Sequence, residues 1–171
     1  MDVMMRSAMA YFFQHFPMCM TVLALIFGVF CCFFKKDRSC SDMFLGKLMF
    51  FAVGLTGLWG FVVHAFFPDM AAKFIGWAAS PFQFEVAVAN LGMGVAGVFG
   101  VRATKSYRIA TTIFTTCFLW GAAYGHCVQM QATANFAPGN AGSIFYNDII
   151  LPVLLIFFLL SNKCKSCEKV A

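Results

Sequence analysis

Four ionisable residues, His64, Glu85, His126 and Asp148, stand inside long apolar stretches of this chain, and Asn90 lies among them. Ionisable groups in such stretches are expensive, so each one is by default a functional-site hypothesis. Two imidazoles and two carboxylates suit three chemistries: holding a divalent metal, relaying protons, or hydrogen-bonding the head group of a quinone-like amphiphile. The plainer reading stands beside these. His64 and His126 can meet water at an interface, and Glu85 and Asp148 lie near helix N-termini, where negative charge is favoured anyway.

The elements that must position these residues follow from composition. Of 171 residues, 61% are hydrophobic and 11% charged, with a mean hydropathy of +0.81. A soluble domain carries about 25% charged residues. An ordinary soluble enzyme, a disordered chain and a nucleic-acid-binding module are therefore excluded, and no nucleic-acid partner is expected. The remaining class is an all-α integral membrane protein whose main partner is the lipid bilayer. The chain reads as a single transmembrane domain over 1–171, with five spans at about 17–34, 44–67, 81–101, 109–130 and 143–160. Ser80 is the expected N-cap of the third span, with Pro81 at its first position and Gln83 completing a capping box. Pro152 interrupts the fifth span. A helix starting there is too short to cross, so the span starts at Ser143 and a kink is expected where the Asp148 carbonyl loses its partner.

Charge sets the orientation. Lys35, Lys36, Arg38, Lys47, Arg102, Lys105, Arg108, Lys163, Lys165 and Lys169 fall on one side, against Arg6 and Lys73 on the other. This positive-inside pattern places the N-terminus in the periplasm and the C-terminus in the cytoplasm of a bacterial inner membrane. Bulky Phe33-Phe34 followed by lysines offers no cleavage site, so the first span reads as an uncleaved anchor. With this orientation His64, Glu85, Asn90, His126 and Asp148 share one depth in the outer half. Gly57, Gly60 and His64 lie on one face of the second span, and Glu85, Ala89, Gly92, Ala96 and Gly100 form a stripe on the third. On the fourth, Ala122 and His126 are one turn apart, with Gly121 and Gly125 beside them. Small residues let transmembrane helices approach closely, so His64, Glu85 and His126 are expected to point into the bundle. Two loops, 74–81 with Trp77 and 136–142 with Asn140, would roof the region, the second through a Pro138-Gly139 tight turn. The expected ligand-binding set is His64, Trp77, Gln83, Glu85, Asn90, His126, Asn140 and Asp148. Any metal would fall to His64, Glu85, His126 and Asp148.

The sulfur-bearing residues carry less. Most of the eight cysteines lie at or below the cytoplasmic surface, where thiols stay reduced. Cys19 and Cys127 are near the outer surface and within reach of pairing. Cys164 and Cys167 form a single CxxC, two zinc ligands rather than four. Methionines around His15 and Cys19 suit Cu(I), but methionine is also an ordinary filler of apolar helices.

The segments Gly76-Trp77, Ser80-Pro81-Phe82-Gln83-Phe84-Glu85 and Ala89-Asn90-Leu91-Gly92, followed by Ala137-Pro138-Gly139-Asn140-Ala141-Gly142, Asp148 and Pro152, resemble an uncharacterised family of small bacterial membrane proteins. The layout of the second to fifth spans is also similar to the broader DoxX-like four-helix group, with an early histidine and a carboxylate heading a glycine-rich helix. That resemblance implies a four-helix bundle preceded by an extra N-terminal span. It also implies an accessory or ligand-binding role in envelope redox physiology, alone, as a homo-oligomer or with other membrane subunits. It transfers no catalytic residue. A small transporter or channel is the alternative, and would need a polar path through the inner half, where the sequence offers Thr56, Thr111, Thr112, Thr115 and Thr116. A purely structural subunit is a third reading. No nucleophile–base pair marks an enzyme.

Overall fold

A computed structural model describes residues 11–12, 14–34 and 39–162. The basic run 35–38, the methionines before Tyr11 and the Cys164–Cys167 tail lie outside the described residues. Among those described, all regular structure is helical. Helix α1 is Phe16–Phe34, and Pro17, Met20, Thr21, Ala24 and Gly28 form its single buried stripe at helical spacing. Helix α2 is Cys40–Phe66. It starts on Ser39, whose Oγ accepts from the Asp42 N–H at 3.2 Å, and its middle, Leu48–Leu55, is wound as a π-helix. Helix α3, Pro68–Ile75, opens on proline and stops at Gly76, whose φ of 75° is the left-handed conformation glycine adopts without cost. Helix α4, Phe82–Phe99, ends in a 3-10 turn over Gly100–Arg102. Helix α5 is Lys105–Thr133, α6 is Pro138–Ala141 and α7 is Ser143–Ser161.

Among the described residues, four helical segments are long and apolar enough to cross a membrane: Phe16–Phe34, Cys40–Phe66, Phe82–Arg102 and Pro138–Ser161. The fourth span read from the sequence, 109–130, falls inside α5. At 29 residues α5 is long enough, but its threonines and glutamines leave it less apolar than the other four. It is nonetheless part of the same core. Ala24 of α1, Leu45, Leu48, Met49, Ala52 and Val53 of α2, Met93 of α4, Leu119 of α5 and Leu151 and Leu155 of α7 form one buried cluster. The N-terminal helix is therefore integral to the bundle. Its Thr21 Oγ1 donates to Asn147 Oδ1 of α7 at 2.7 Å, both side chains buried, and His15 Nδ1 meets Ser143 Oγ at 2.6 Å. Large apolar side chains such as Phe33, Phe82, Phe99, Ile113, Tyr124 and Leu160 face outward. An outer surface of that kind suits lipid rather than water.

Helices α2 and α4 make the most extensive contact, and glycine is the reason. A Cβ on Gly57 would stand 2.6 Å from the Gly94 backbone nitrogen, and one on Gly97 would stand 2.5 Å from the Gly54 nitrogen. The two backbones touch where these four glycines cross. The expected stripe on α4 is one position off. Gly92 meets nothing within 4 Å, and Glu85 is exposed in the first helical turn. The buried face is Ala87, Asn90, Met93, Gly94 and Gly97. One residue is a rotation of roughly 100°, and α4 carries small residues on both faces, so periodicity alone does not choose between them. Gly57 and Gly60 do share the packed face of α2, the latter against the Asn90 side chain.

At the end of the bundle near Arg102, Arg108 is buried at 3% exposure. Its Nε donates to Gly100 O at 2.8 Å and its Nη2 to Val101 O at 2.5 Å, capping the last carbonyls of the α4 extension. Its Nη1 pairs with Asp42 Oδ1 at 2.7 Å. Asn162 joins in, receiving from Lys105 Nζ through its carbonyl at 3.0 Å and from Ser39 Oγ at 3.2 Å. Sequence reading counted Arg108 only as one more positive charge.

Candidate functional site

The opposite end of the bundle holds most of the polar residues singled out above, and Asn140 is their centre. It is fully buried on the short helix α6. Its Nδ2 donates to Asn135 O at 2.9 Å and to His126 O at 3.3 Å. With the amide nitrogen committed to two carbonyls, Oδ1 must accept. It does so from Trp77 Nε1 at 2.8 Å and faces His126 Nδ1 at 2.8 Å. An acceptor at that place puts the proton of a neutral imidazole on Nδ1, which leaves Nε2 a bare lone pair. Nε2 points at Asp148 Oδ2, 3.9 Å away. That is beyond hydrogen-bond range, and the Asp148 side chain is only 9% exposed.

Two acceptors thus face each other across a short gap. The arrangement calls for a proton between them, on Asp148 or on His126. With that proton in place, a hydroxyl oxygen about 2.8 Å from each atom would bridge them at an angle of about 90°, accepting from the protonated partner and donating its single proton to the other. The Trp77 ring lies 5.4 Å from the His126 ring, and that of Phe145 lies 6.3 Å from it. Aromatic faces therefore flank the imidazole.

Both connections that roof this end are pinned. Asn135 Nδ2 donates to Ile75 O at 3.0 Å and Gly76 O at 3.2 Å, tying the segment after α5 to the end of α3. Gly139 packs against Phe74 so closely that a Cβ there would meet the Phe74 carbonyl oxygen at 2.8 Å. The Pro138-Gly139 pair begins a short helix rather than a tight turn, because Asn140 and Ala141 return their N–H groups to Ala137 O.

The other expected site residues fall elsewhere. Gln83 Nε2 donates to Pro68 O at 2.9 Å and to His64 Nδ1 at 3.4 Å. It therefore joins α2 to α4 and does not close a capping box, although Ser80 Oγ does accept from the Phe82 N–H at 3.3 Å. Asn90 turns back on its own helix, donating to Val86 O at 2.9 Å. Glu85 is exposed and takes no part. Consequently His64, Glu85, His126 and Asp148 do not form one donor set. Among the described residues no group of three or more His, Cys, Asp or Glu side chains is placed to hold a metal ion, so the metal reading does not fit this geometry. Cys19 and Cys127 are free thiols. Sequence reasoning missed Asn135, Asn147 and Thr21. A polar residue in an apolar helix was the available signal for the last two.

Asn140 serves four hydrogen bonds at a site closed to solvent, so its loss strands several polar groups at once. Asn140→Ala is expected to destabilise the protein by about 2–4 kcal/mol. Thermal unfolding in detergent would show this, and Asn140→Leu, which fills the space but bonds to nothing, should not recover it.

Fold and site together define an all-helical bundle with four membrane-length apolar helices and a roofed His–Asn–Asp cluster at one end. Residues 14–167 match a family of unknown function, DUF6790, and the chain belongs to that family. Neither a curated protein nor a solved structure matches it.

Proposed function

We propose that the protein is a five-span integral protein of the bacterial inner membrane, with α5 as the fifth crossing, and that it binds a small hydroxyl-bearing amphiphile at its outer end. On this reading the N-terminus is periplasmic and the C-terminus cytoplasmic. The charge distribution supports that orientation, and the lipid-facing side chains of α5, among them Ile113, Phe114, Trp120 and Val128, support its crossing. The observation that carries the binding reading is the gap between His126 Nε2 and Asp148 Oδ2, two facing acceptors beneath a roof of Trp77 and Asn140. A quinol-type head group supplies both the hydroxyl that fits the gap and a ring for the neighbouring aromatic faces. The role is accessory, in envelope redox physiology, as a homo-oligomer or beside other membrane subunits. The early histidine, His64, and the glycine-rich α4 support a DoxX-like arrangement of the spans after α1.

Protein purified from its own membranes in mild detergent should release a quinone-type molecule on organic extraction, in near-stoichiometric amount, detected by absorbance and mass spectrometry. Asp148→Asn should lower that yield by about tenfold, the loss of one charge-assisted hydrogen bond. A wild-type extract no richer in quinone than that of an unrelated membrane protein from the same cells would refute the reading.

A second reading, a small transporter, is favoured by one specific observation. Thr56, Thr112, Thr115 and Thr116 each bury a hydroxyl oxygen that has no hydrogen-bond partner among the described residues.

A further inference from the structure

The end of the bundle opposite the His126 site gathers thiols. Helices α1 and α2 meet there as an antiparallel pair, and a Cβ added to Gly28 would collide with the Phe44 ring. That contact sets their register. One turn towards the connection between them, Gly28 leads on to Cys32 and Phe44 leads back to Cys40. The two cysteines therefore stand opposite one another, and their side chains are hydrogen-bonded, thiol to thiol. Both are free thiols, Cys32 half-buried and Cys40 exposed. Cys31, one residue earlier, is turned about 100° away on its helix.

The last helix ends at the same place. The Phe158 ring of α7 stacks on that of Phe44 with centroids 4.6 Å apart. One turn further on, Asn162 Oδ1 accepts from Ser39 Oγ at 3.2 Å, and Ser39 immediately precedes Cys40. Cys164 follows Asn162 by two residues, and Cys167 completes the CxxC. Both lie outside the described residues, so chain length alone sets their range. Two extended residues span at most about 7 Å, enough to bring Cys164 to the thiol pair from an anchor already bonded beside it.

A single CxxC supplies two zinc ligands, and a closed tetrahedral site needs four. The α1–α2 hairpin supplies the other two at a suitable spacing. With Zn–S bonds of about 2.3 Å, neighbouring sulfurs of a tetrahedral site stand about 3.8 Å apart, close to the separation of hydrogen-bonded thiols. We propose that Cys32, Cys40, Cys164 and Cys167 hold one zinc(II) ion in a four-thiolate site, pinning the segment after α7 to the hairpin. The described residues bring no third ligand to the pair, so the CxxC is needed to complete it. Four thiols release four protons to water and the ion binds four thiolates, with no redox change. The resulting double negative charge stands in sequence among Lys35, Lys36, Arg38, Lys163 and Lys165, cations that favour the thiolate form. This inference is independent of any ligand at the His126 end.

The full chain, purified in mild detergent under reducing conditions, is expected to carry about one zinc ion by elemental analysis. Cys32→Ser/Cys40→Ser and Cys164→Ser/Cys167→Ser should each lower the zinc content roughly fivefold or more, while Cys31→Ser and Cys117→Ser leave it unchanged. The unmutated protein supplies a second measurement that no folding defect can confound. Stripped with a chelator, its four ligand cysteines should become open to a maleimide, and added zinc should protect all four together. Protein without zinc overturns the inference, as does full zinc in the Cys32→Ser/Cys40→Ser variant or a protected set that omits Cys40. One zinc shared by two chains, lost with the CxxC alone, also overturns it, because the ion would then join two such motifs without the hairpin.

Discussion

Gly94→Ala and Gly57→Ala each destabilise the protein by about 2–3 kcal/mol, and Gly94→Val prevents recovery of folded protein altogether. An added Cβ at Gly94 would stand 2.6 Å from the Leu58 backbone nitrogen and 3.0 Å from the Gly54 carbonyl oxygen. These neighbours are main-chain atoms of a helix, which cannot swing aside as a side chain can. The α2–α4 crossing must open along its length, losing contacts at Gly54 and Gly97 as well. Because Gly57 and Gly94 meet in one contact, the double alanine variant should cost less than the sum of the two single variants. Gly92→Ala and Gly121→Ala provide the matched comparison. Both meet open space, so they should be neutral or gain on the order of 0.5–1 kcal/mol from helix propensity. Monodisperse yield in detergent and the unfolding midpoint measure all of these. Equal losses at Gly92 and Gly94 would show that the crossing is not where the structure puts it.

Arg108→Met is the second large effect, expected at about 3–5 kcal/mol. The substitution removes the Arg108–Asp42 ion pair and strips two donors from the carbonyls of Gly100 and Val101. Arg108→Lys should recover little, because an ammonium on a flexible stem does not reproduce a three-way planar fork. Removing both partners behaves differently. In Arg108→Met/Asp42→Leu both partners of the ion pair are gone, and the part of the loss that belongs to the pair should return. The same unfolding assay decides the matter: a double variant as weak as Arg108→Met alone would locate the loss in the capped carbonyls and not in the ion pair.

Helix existence was readable because apolar runs of this length have few alternatives, and Ser143 and Pro81 marked two starts closely. Asn140 and Trp77 were singled out because they sit in distinctive loop segments, and the structure does bring them to His126. Glu85 was misplaced for a geometric reason. On α4 small residues stand on both faces, Ala89, Gly92 and Ala96 on one and Gly94 and Gly97 on the other, and the glycines of α2 decide between them. Arg108 was invisible as a clamp because a cation near a helix end looks the same in sequence whether it reaches water or is buried. Asp42, the one acidic residue of α2, at the end where basic residues gather, was the clue. The π-helix over Leu48–Leu55 left no mark at all, since its apolar residues fit an α-helix equally well.

That π segment has a torsional consequence. A π turn advances by less per residue than the roughly 100° of an α turn, so eight such residues build a phase lag of roughly a quarter-turn or more between the halves of α2. Leu45 and Gly46 therefore face the core in one register, while Gly57 and Gly60 face α4 in another. Each half is held in its own register, by Asp42 on Arg108 at one end and by Gly57 against the Gly94 backbone at the other. The π segment is thus the joint that lets one continuous helix present different faces to its two sets of neighbours.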